Sequence, residues 1–270
     1  MASTHCRSAA FTVALCAITA FVWAVASLSP ESAAADWNGA IAASNPLNWY
    51  RLDELTGTTA FDYGSDGLDG TYGSGDSAPA RGTAGPVGTG VTFDGDMDTI
   101  YLSGGTLTGD WTSEFIVRKN VAADRSSVLI RGVPFTFPST ALKLEQHEAP
   151  EQIGYTQFGQ VDYVFTPPVY SPLDEFFHLV FVKDDSAVRA YVNGTLAGTR
   201  FDPISLYRYQ IGDESGESPF ASLDDVVIYD RALSPTEIAE HFAAIPEPST
   251  LAIVCVVLGL GCLRRLSRRS

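Results

Sequence analysis

Apolar and polar positions alternate most clearly between residues 176 and 196. Phe176-Phe177-His178-Leu179-Val180-Phe181-Val182 is apolar at nearly every position, which predicts a strand covered on both faces. Asp184-Asp185-Ser186 interrupts the run, and Val188-Arg189-Ala190-Tyr191-Val192 resumes it. Asn193-Gly194 follows, the dipeptide favoured in two-residue type I′ hairpins because both central residues need φ > 0. Asn193-Gly194-Thr195 also matches a glycosylation acceptor, but the turn alone accounts for it. Shorter β-branched and aromatic runs predict strands at 49–52, 91–93, 99–102, 115–118, 128–131, 161–165, 209–211 and 223–229. Glycine and proline punctuate them, and no strand–helix alternation occurs. The fold class predicted is therefore all-β, an antiparallel two-sheet sandwich. Residues 132–175 are proline-rich and poorly periodic, so edge strands and a long loop are expected there.

One short C-terminal helix is specified locally. Ser234-Pro235-Thr236-Glu237 is a capping box with proline at the first helical position. Leu233 and Ile238 form a hydrophobic staple across it, Ile238 and Phe242 are expected to make one buried stripe, and the helix should end near Ala244.

The ends read differently. Residues 1–35 have the form of an export signal: Arg7, an apolar run over 9–26, and Ala33-Ala34-Ala35 before Asp36. Residues 246–270 hold a second apolar run followed by arginines. That leaves 36–245 as one domain able to bury a sizeable core. All four cysteines (Cys6, Cys16, Cys255, Cys262) lie in the terminal segments, so the domain contains no disulfide, thiol nucleophile or thiolate metal site. Two of the 32 acidic and five of the 17 basic residues fall outside 36–245, leaving 30 against 12, a net of −18. Such a surface repels phosphate backbones and argues against nucleic-acid partners.

Several segments resemble one family. Trp49-Tyr50-Arg51-Leu52-Asp53-Glu54, Gly57-Thr58-Thr59-Ala60, Gly67-Leu68-Asp69-Gly70-Thr71-Tyr72 and Val91-Thr92-Phe93-Asp94-Gly95 resemble the opening of laminin-G-like, concanavalin A-like jelly rolls. Ala190-Tyr191-Val192-Asn193-Gly194 and Gln210-Ile211-Gly212 resemble its hairpin and penultimate strand, and 223–234 its last strand and closing helix. The resemblance implies two antiparallel sheets, one of them concave. Phe176, and the neighbourhood of Ile116, stand where the family often has Trp. The C-terminus resembles a PEP-CTERM tail: Pro246-Glu247-Pro248, the apolar 251–263, then Arg264 and Arg265 with Arg268 and Arg269. Thirteen helical residues span only about 20 Å against a hydrocarbon core of about 30 Å. The arginines favour the cytoplasmic side. The resemblance implies an exosortase-type processing enzyme as partner, transient inner-membrane anchoring, and delivery to the cell surface or extracellular matrix.

Candidate chemistry is sparse. Glycosidases of related fold need two placed carboxylates, yet no Glu-x-Asp occurs, and the adjacent pairs Asp174-Glu175 and Asp224-Asp225 point to opposite strand faces. His147-Glu148 begins a zinc-protease motif, but Glu151 stands where the second histidine is required. His178, inside an apolar strand, reads as a packed structural histidine. Asp94-Gly95-Asp96-Met97-Asp98 spaces three carboxylates as oxygen-ligand loops do, and equally fits a solvated hairpin loop. The resemblance implies a structural Ca²⁺ at Asp224 with oxygens near Asp53; backbone amides or Arg51 would satisfy Asp224 as well. Tyr155, Tyr163, Tyr170, Tyr207 and Tyr209 are candidates for stacking on sugars. The expected function is non-catalytic binding of extracellular polysaccharide or surface polymer; the alternatives are an adhesion module with a protein partner and a divergent glycoside hydrolase or lyase.

Overall fold

The computed structural model describes residues 36–122, 126–147 and 149–246. The expected export signal (1–35), Glu148, and the expected tail after Pro246, including Glu247, Pro248, Arg264 and Arg265, lie outside the described residues. Two antiparallel sheets form a sandwich. The first runs β15 (Thr195–Arg200), β14 (Val188–Val192), β13 (Phe176–Lys183), β8 (Trp111–Lys119), β18 (Phe220–Tyr229), β5 (Gly88–Asp94) and β4 (Ala80–Gly85), with β1 (Asn48–Tyr50) also on β18. The second runs β12 (Val161–Val164), β11 (Gly154–Gln157), β10 (Thr140–Glu145), β9 (Ser127–Arg131), β17 (Gln210–Gly212), β6 (Thr99–Tyr101), β3 (Gly70–Tyr72) and β2 (Thr59–Ala60). A small pair, β7 (Thr106–Leu107) and β16 (Leu206–Tyr207), stands apart. This is the two-sheet sandwich predicted from the strand pattern, of the jelly-roll class that the resemblance implies.

The main core lies between the sheets. Phe93, Phe115, Val117, Leu179, Phe181, Val226 and Ile228 face Ile100, Ile130, Leu142, Leu144, Tyr155 and Ile211. Alternation places their odd-even neighbours outward, and on the first sheet those neighbours are also apolar. Ile116, Val180, Val182, Tyr191, Val227 and Tyr229 form a second cluster with Trp37, Ile41 and Ile238 from two helices and Leu233 just before the second. The doubly apolar run at 176–182 thus follows from burial on both sides.

The helices are α1 (Trp37–Ala43), capped by the Asp36 carboxylate accepting from the Asn38 amide at 3.3 Å, and α2 (Pro235–Ala244). Nothing in the periodicity foretold α1. The capping box of α2 forms as expected, with Ser234 Oγ accepting from Glu237 N–H (3.2 Å) and Glu237 Oε2 from Ser234 N–H (2.8 Å). Its inward stripe is corrected: Ile238, His241 and Ala244 are buried, while Phe242 is 39% exposed. The helix is rotated so that His241 meets a buried carboxylate. Two further expectations change. Within 132–175, β10 is an interior strand with every residue buried, because its charged side chains find partners on neighbouring elements. Tyr155 is wholly buried and its hydroxyl donates to the Asp202 carbonyl at 2.7 Å, so it is a core residue and no stacking platform. The 193–194 turn follows expectation, with φ of 49° at Asn193 and 74° at Gly194.

Candidate functional site

The strand–helix seam of the first sheet carries the most concentrated buried polar group. Glu114 on β8 is fully buried between two histidines: His178 Nε2 on β13 lies 2.8 Å from Oε2, and His241 Nδ1 on α2 lies 3.0 Å from Oε1. Burial alone would raise its pKa, but the hydrogen bonds from His178 and His241 prevail and hold it down at about 2. Glu114 is therefore ionised and can only accept. That fixes both tautomers, with protons on His178 Nε2 and His241 Nδ1. In the neutral ring His241 Nε2 is then the acceptor, and Ser44 Oγ, just past the end of α1, stands 2.7 Å from it. Trp37 packs edge-on against both imidazoles. Nearby, Asp225 accepts from Trp49 Nε1 at 2.5 Å, and burial, with Asp224 adding to it, pushes its pKa well up. His178 is the packed histidine expected; its partners lie 64 residues before it and, through Glu114, on a helix beyond it.

The aspartates singled out for calcium fall at two places, Asp224 beside Asp53 and Asp94 in a separate loop. Asp224 is buried at a β-bulge between Leu223 and Val226. Its Oδ2 accepts from Val87 N–H at 2.7 Å, and its pKa is pushed up to about 6, chiefly by burial and further by Asp53. Asp53 neighbours it but pairs with Arg51 at 3.2 Å. The backbone-amide partner and the Arg51 counter-charge are thus both present. Asp94 stands elsewhere, opposite Phe220 at the far end of β5. In its loop, Asp98 Oδ2 accepts from Asp94 N–H (2.8 Å) and Asp94 Oδ1 from Asp96 N–H (3.1 Å), so these carboxylates stabilise the turn itself. Among the described residues no three His, Cys, Asp or Glu side chains assemble to hold a metal ion.

The outward face of the second sheet has another character. Register places Thr71, Tyr101, Gln210 and Arg131 side by side, while Tyr72, Ile100, Ile211 and Ile130 point to the core. Arg131 is ion-paired to Asp213, reaches Ser215 Oγ at 3.1 Å and lies 4.1 Å beneath the Phe158 ring. Lys143 sits under the same ring at 5.5 Å and bonds Ser126 Oγ (2.6 Å) and Glu217 (3.3 Å). Lys119 and Glu145 pair at 2.6 Å close by. Along the face, the Tyr101 hydroxyl donates to Glu214 at 2.7 Å, which with burial pushes its pKa up to about 12. Tyr209 packs edge-on against it at 6.3 Å. Of the tyrosines proposed for stacking, Tyr209 lies on this face, Tyr207 is half-buried on β16, Tyr163 packs on the core, and Tyr170 is 58% exposed elsewhere. Sequence reasoning missed Tyr101, Phe158 and Arg131, since only cross-strand register brings them together. A neighbouring loop exposes Phe135 (87%) and Phe137 (67%).

Comparison with known proteins agrees with this geometry. The family model described as the concanavalin A-like lectin/glucanases superfamily matches residues 94–239. Domain 4 of AbnA, a GH43 extracellular arabinanase from Geobacillus stearothermophilus solved with arabinotriose, superposes with a TM-score of 0.58 at 17% identity, over 73% of this chain and 98% of that one. Trypanosoma rangeli sialidase with the inhibitor DANA gives 0.52 at 17% identity, over 73% of this chain and 32% of that one. The binding domain of botulinum neurotoxin serotype G gives 0.52 at 13%, over 73% and 50%. This chain thus spans about a third of the sialidase. No curated protein matches by sequence. Likeness at these identities carries the fold alone.

Proposed function

We propose that this chain, which belongs to the concanavalin A-like lectin/glucanases superfamily, is an exported surface or matrix protein whose second sheet binds glycans or surface polymers without cleaving them. The observation that carries the reading is the outer face bearing the half-buried Tyr101, Tyr209 and Glu214. It offers aromatic rings for sugar C–H surfaces and a carboxylate for hydroxyls. Glycosidic cleavage would need one protonated and one ionised carboxyl flanking a sugar bond. The buried acids beside this face, Asp213 and Glu145, are each committed to a cation, Arg131 and Lys119. Two similar solved structures are glycan-linked, an arabinanase domain with arabinotriose and a sialidase. Export and release by an exosortase-type enzyme rest on the signal-like start and the Pro246-Glu247-Pro248 tail.

A second reading, adhesion to a protein partner, is favoured by the exposed Phe135 and Phe137 on one loop. A glycan array and calorimetry with the purified protein separate the two. Saturable binding to neutral or acidic oligosaccharides supports the first reading; silence across the array, with partner capture that sugars do not compete, supports the second.

A further inference from the structure

Ser44, His241 and Glu114 form a relay whose order is fixed by chemistry. Glu114 is fully buried and accepts from His241 Nδ1–H at 3.0 Å. His241 is 2% exposed and has its Nε2 lone pair 2.7 Å from Ser44 Oγ. A carboxylate accepts only, so the Nδ1 proton points at Glu114 and the hydroxyl proton of Ser44 points at Nε2. That is the arrangement in which an imidazole can withdraw a serine proton while an acid steadies the resulting imidazolium. The three residues come from three elements, and Ser44 is the half-buried one at the surface end. Arg231 stands beside it, with Nη2 3.2 Å from the Ser44 carbonyl oxygen and 2.8 Å from Glu237. A guanidinium carries five N–H donors, so it can present charge to the acyl oxygen of an ester attacked by Ser44. Pinning α1 to α2 needs only a hydrogen bond of either polarity; the buried, ionised third member adds basicity that pinning does not require.

We propose that Ser44 is an activated nucleophile, with His241 as its general base and Glu114 as the positioning residue, and that it accepts acyl groups from O-acyl esters. Ser44 Oγ attacks the acyl carbon as its proton passes to His241 Nε2. The C–O bond to the alcohol breaks, and that alcohol leaves with the proton from Nε2. Water, deprotonated by the same nitrogen, then attacks the acyl-serine; the acyl C–Oγ bond breaks, Ser44 Oγ takes back the proton from Nε2, and the carboxylic acid is released. This chemistry is separate from sugar binding on the second sheet.

The test uses the full-length chain and a fluorophosphonate, which serine attacks at phosphorus with loss of fluoride. Mass spectrometry of the digested native protein should place the adduct on the peptide holding Ser44, and the urea-unfolded protein should carry none. His241→Ala should label at least tenfold more slowly, and added imidazole should restore the rate. Glu114→Gln should move the pH at which labelling falls off, a change that loosened packing alone would not give. No adduct at Ser44 in the native chain, or labelling of His241→Ala at the native rate without imidazole, overturns the proposal. Because the adduct is mapped on the unaltered chain, the result does not depend on any variant folding.

Discussion

The two sheets carry their charged side chains for different ends. On the first, Glu114, His178 and Asp225 sit under α1 and α2, among Trp37, Trp49 and Tyr229. Glu114 joins His178 of β13 to His241 of α2, so this buried charge fastens the closing helix to the sheet. On the second, Arg131, Lys143 and Asp213 are buried beneath Phe158 and short loops rather than helices, and the strip from Tyr101 to Gln210 lies beyond them. Burying charge is costly wherever it occurs. The first face recovers that cost through docking; the second keeps it beneath a surface that remains able to meet a ligand.

The largest expected effect tests the fastening role. Glu114→Ala leaves two imidazoles facing a buried hole and should lower unfolding free energy by about 3–5 kcal/mol, measured by urea denaturation. A loss under about 1 kcal/mol would mean that the helices are held by apolar contacts alone. On the other face, Tyr101→Ala combined with Tyr209→Ala should weaken oligosaccharide binding about tenfold, about 1.4 kcal/mol, with little change in Tm. Equal binding by this variant would move the ligand site off the second sheet.

The smallest expected effect concerns two buried aspartates. Asp98 and Asp224 both have pKa values raised to about 6 by burial. A carboxyl raised in the fold contributes stability that is complete below its ordinary value near 3.8 and is lost as pH rises through about 6. Stability should therefore fall by about 1 kcal/mol per group between pH 5 and 7, read as a drop of a few degrees in Tm. Asp224→Asn should flatten part of that slope. Glu114 and Glu237, both held at about 2, act oppositely: their contribution is present above their ordinary 4.5 and disappears as pH falls towards 2. Millimolar calcium should leave Tm unchanged, since Arg51 already faces Asp53. A rise that Asp224→Asn abolishes would restore calcium to this corner.

Much of the architecture was legible before any coordinates. The 176–182 run, the Asn193-Gly194 turn and the Ser234–Glu237 cap each appear as read, because strand period, left-handed turn residues and helix caps act within a few positions of chain. Asp224 at a core edge needing a partner was also foreseen, and the Val87 amide is that partner. The failures share one cause. Phe242 was given to the core where His241 belongs, and β10 was passed over because Lys143 and Glu145 spoil its apolar pattern. Both errors need knowledge of a distant charge.

By itself, then, the sequence determined the two-sheet body, its closing helix and its acidic, cysteine-free character, since each of these follows from local periodicity and composition. Tertiary structure alone decided which side chains meet. Glu114 finds His178 across 64 residues and His241 across 127, and Arg131 finds Asp213 across 82. Such encounters are set by strand register and helix rotation, where a shift of one residue turns a side chain to the opposite face, and no short stretch of chain records that choice.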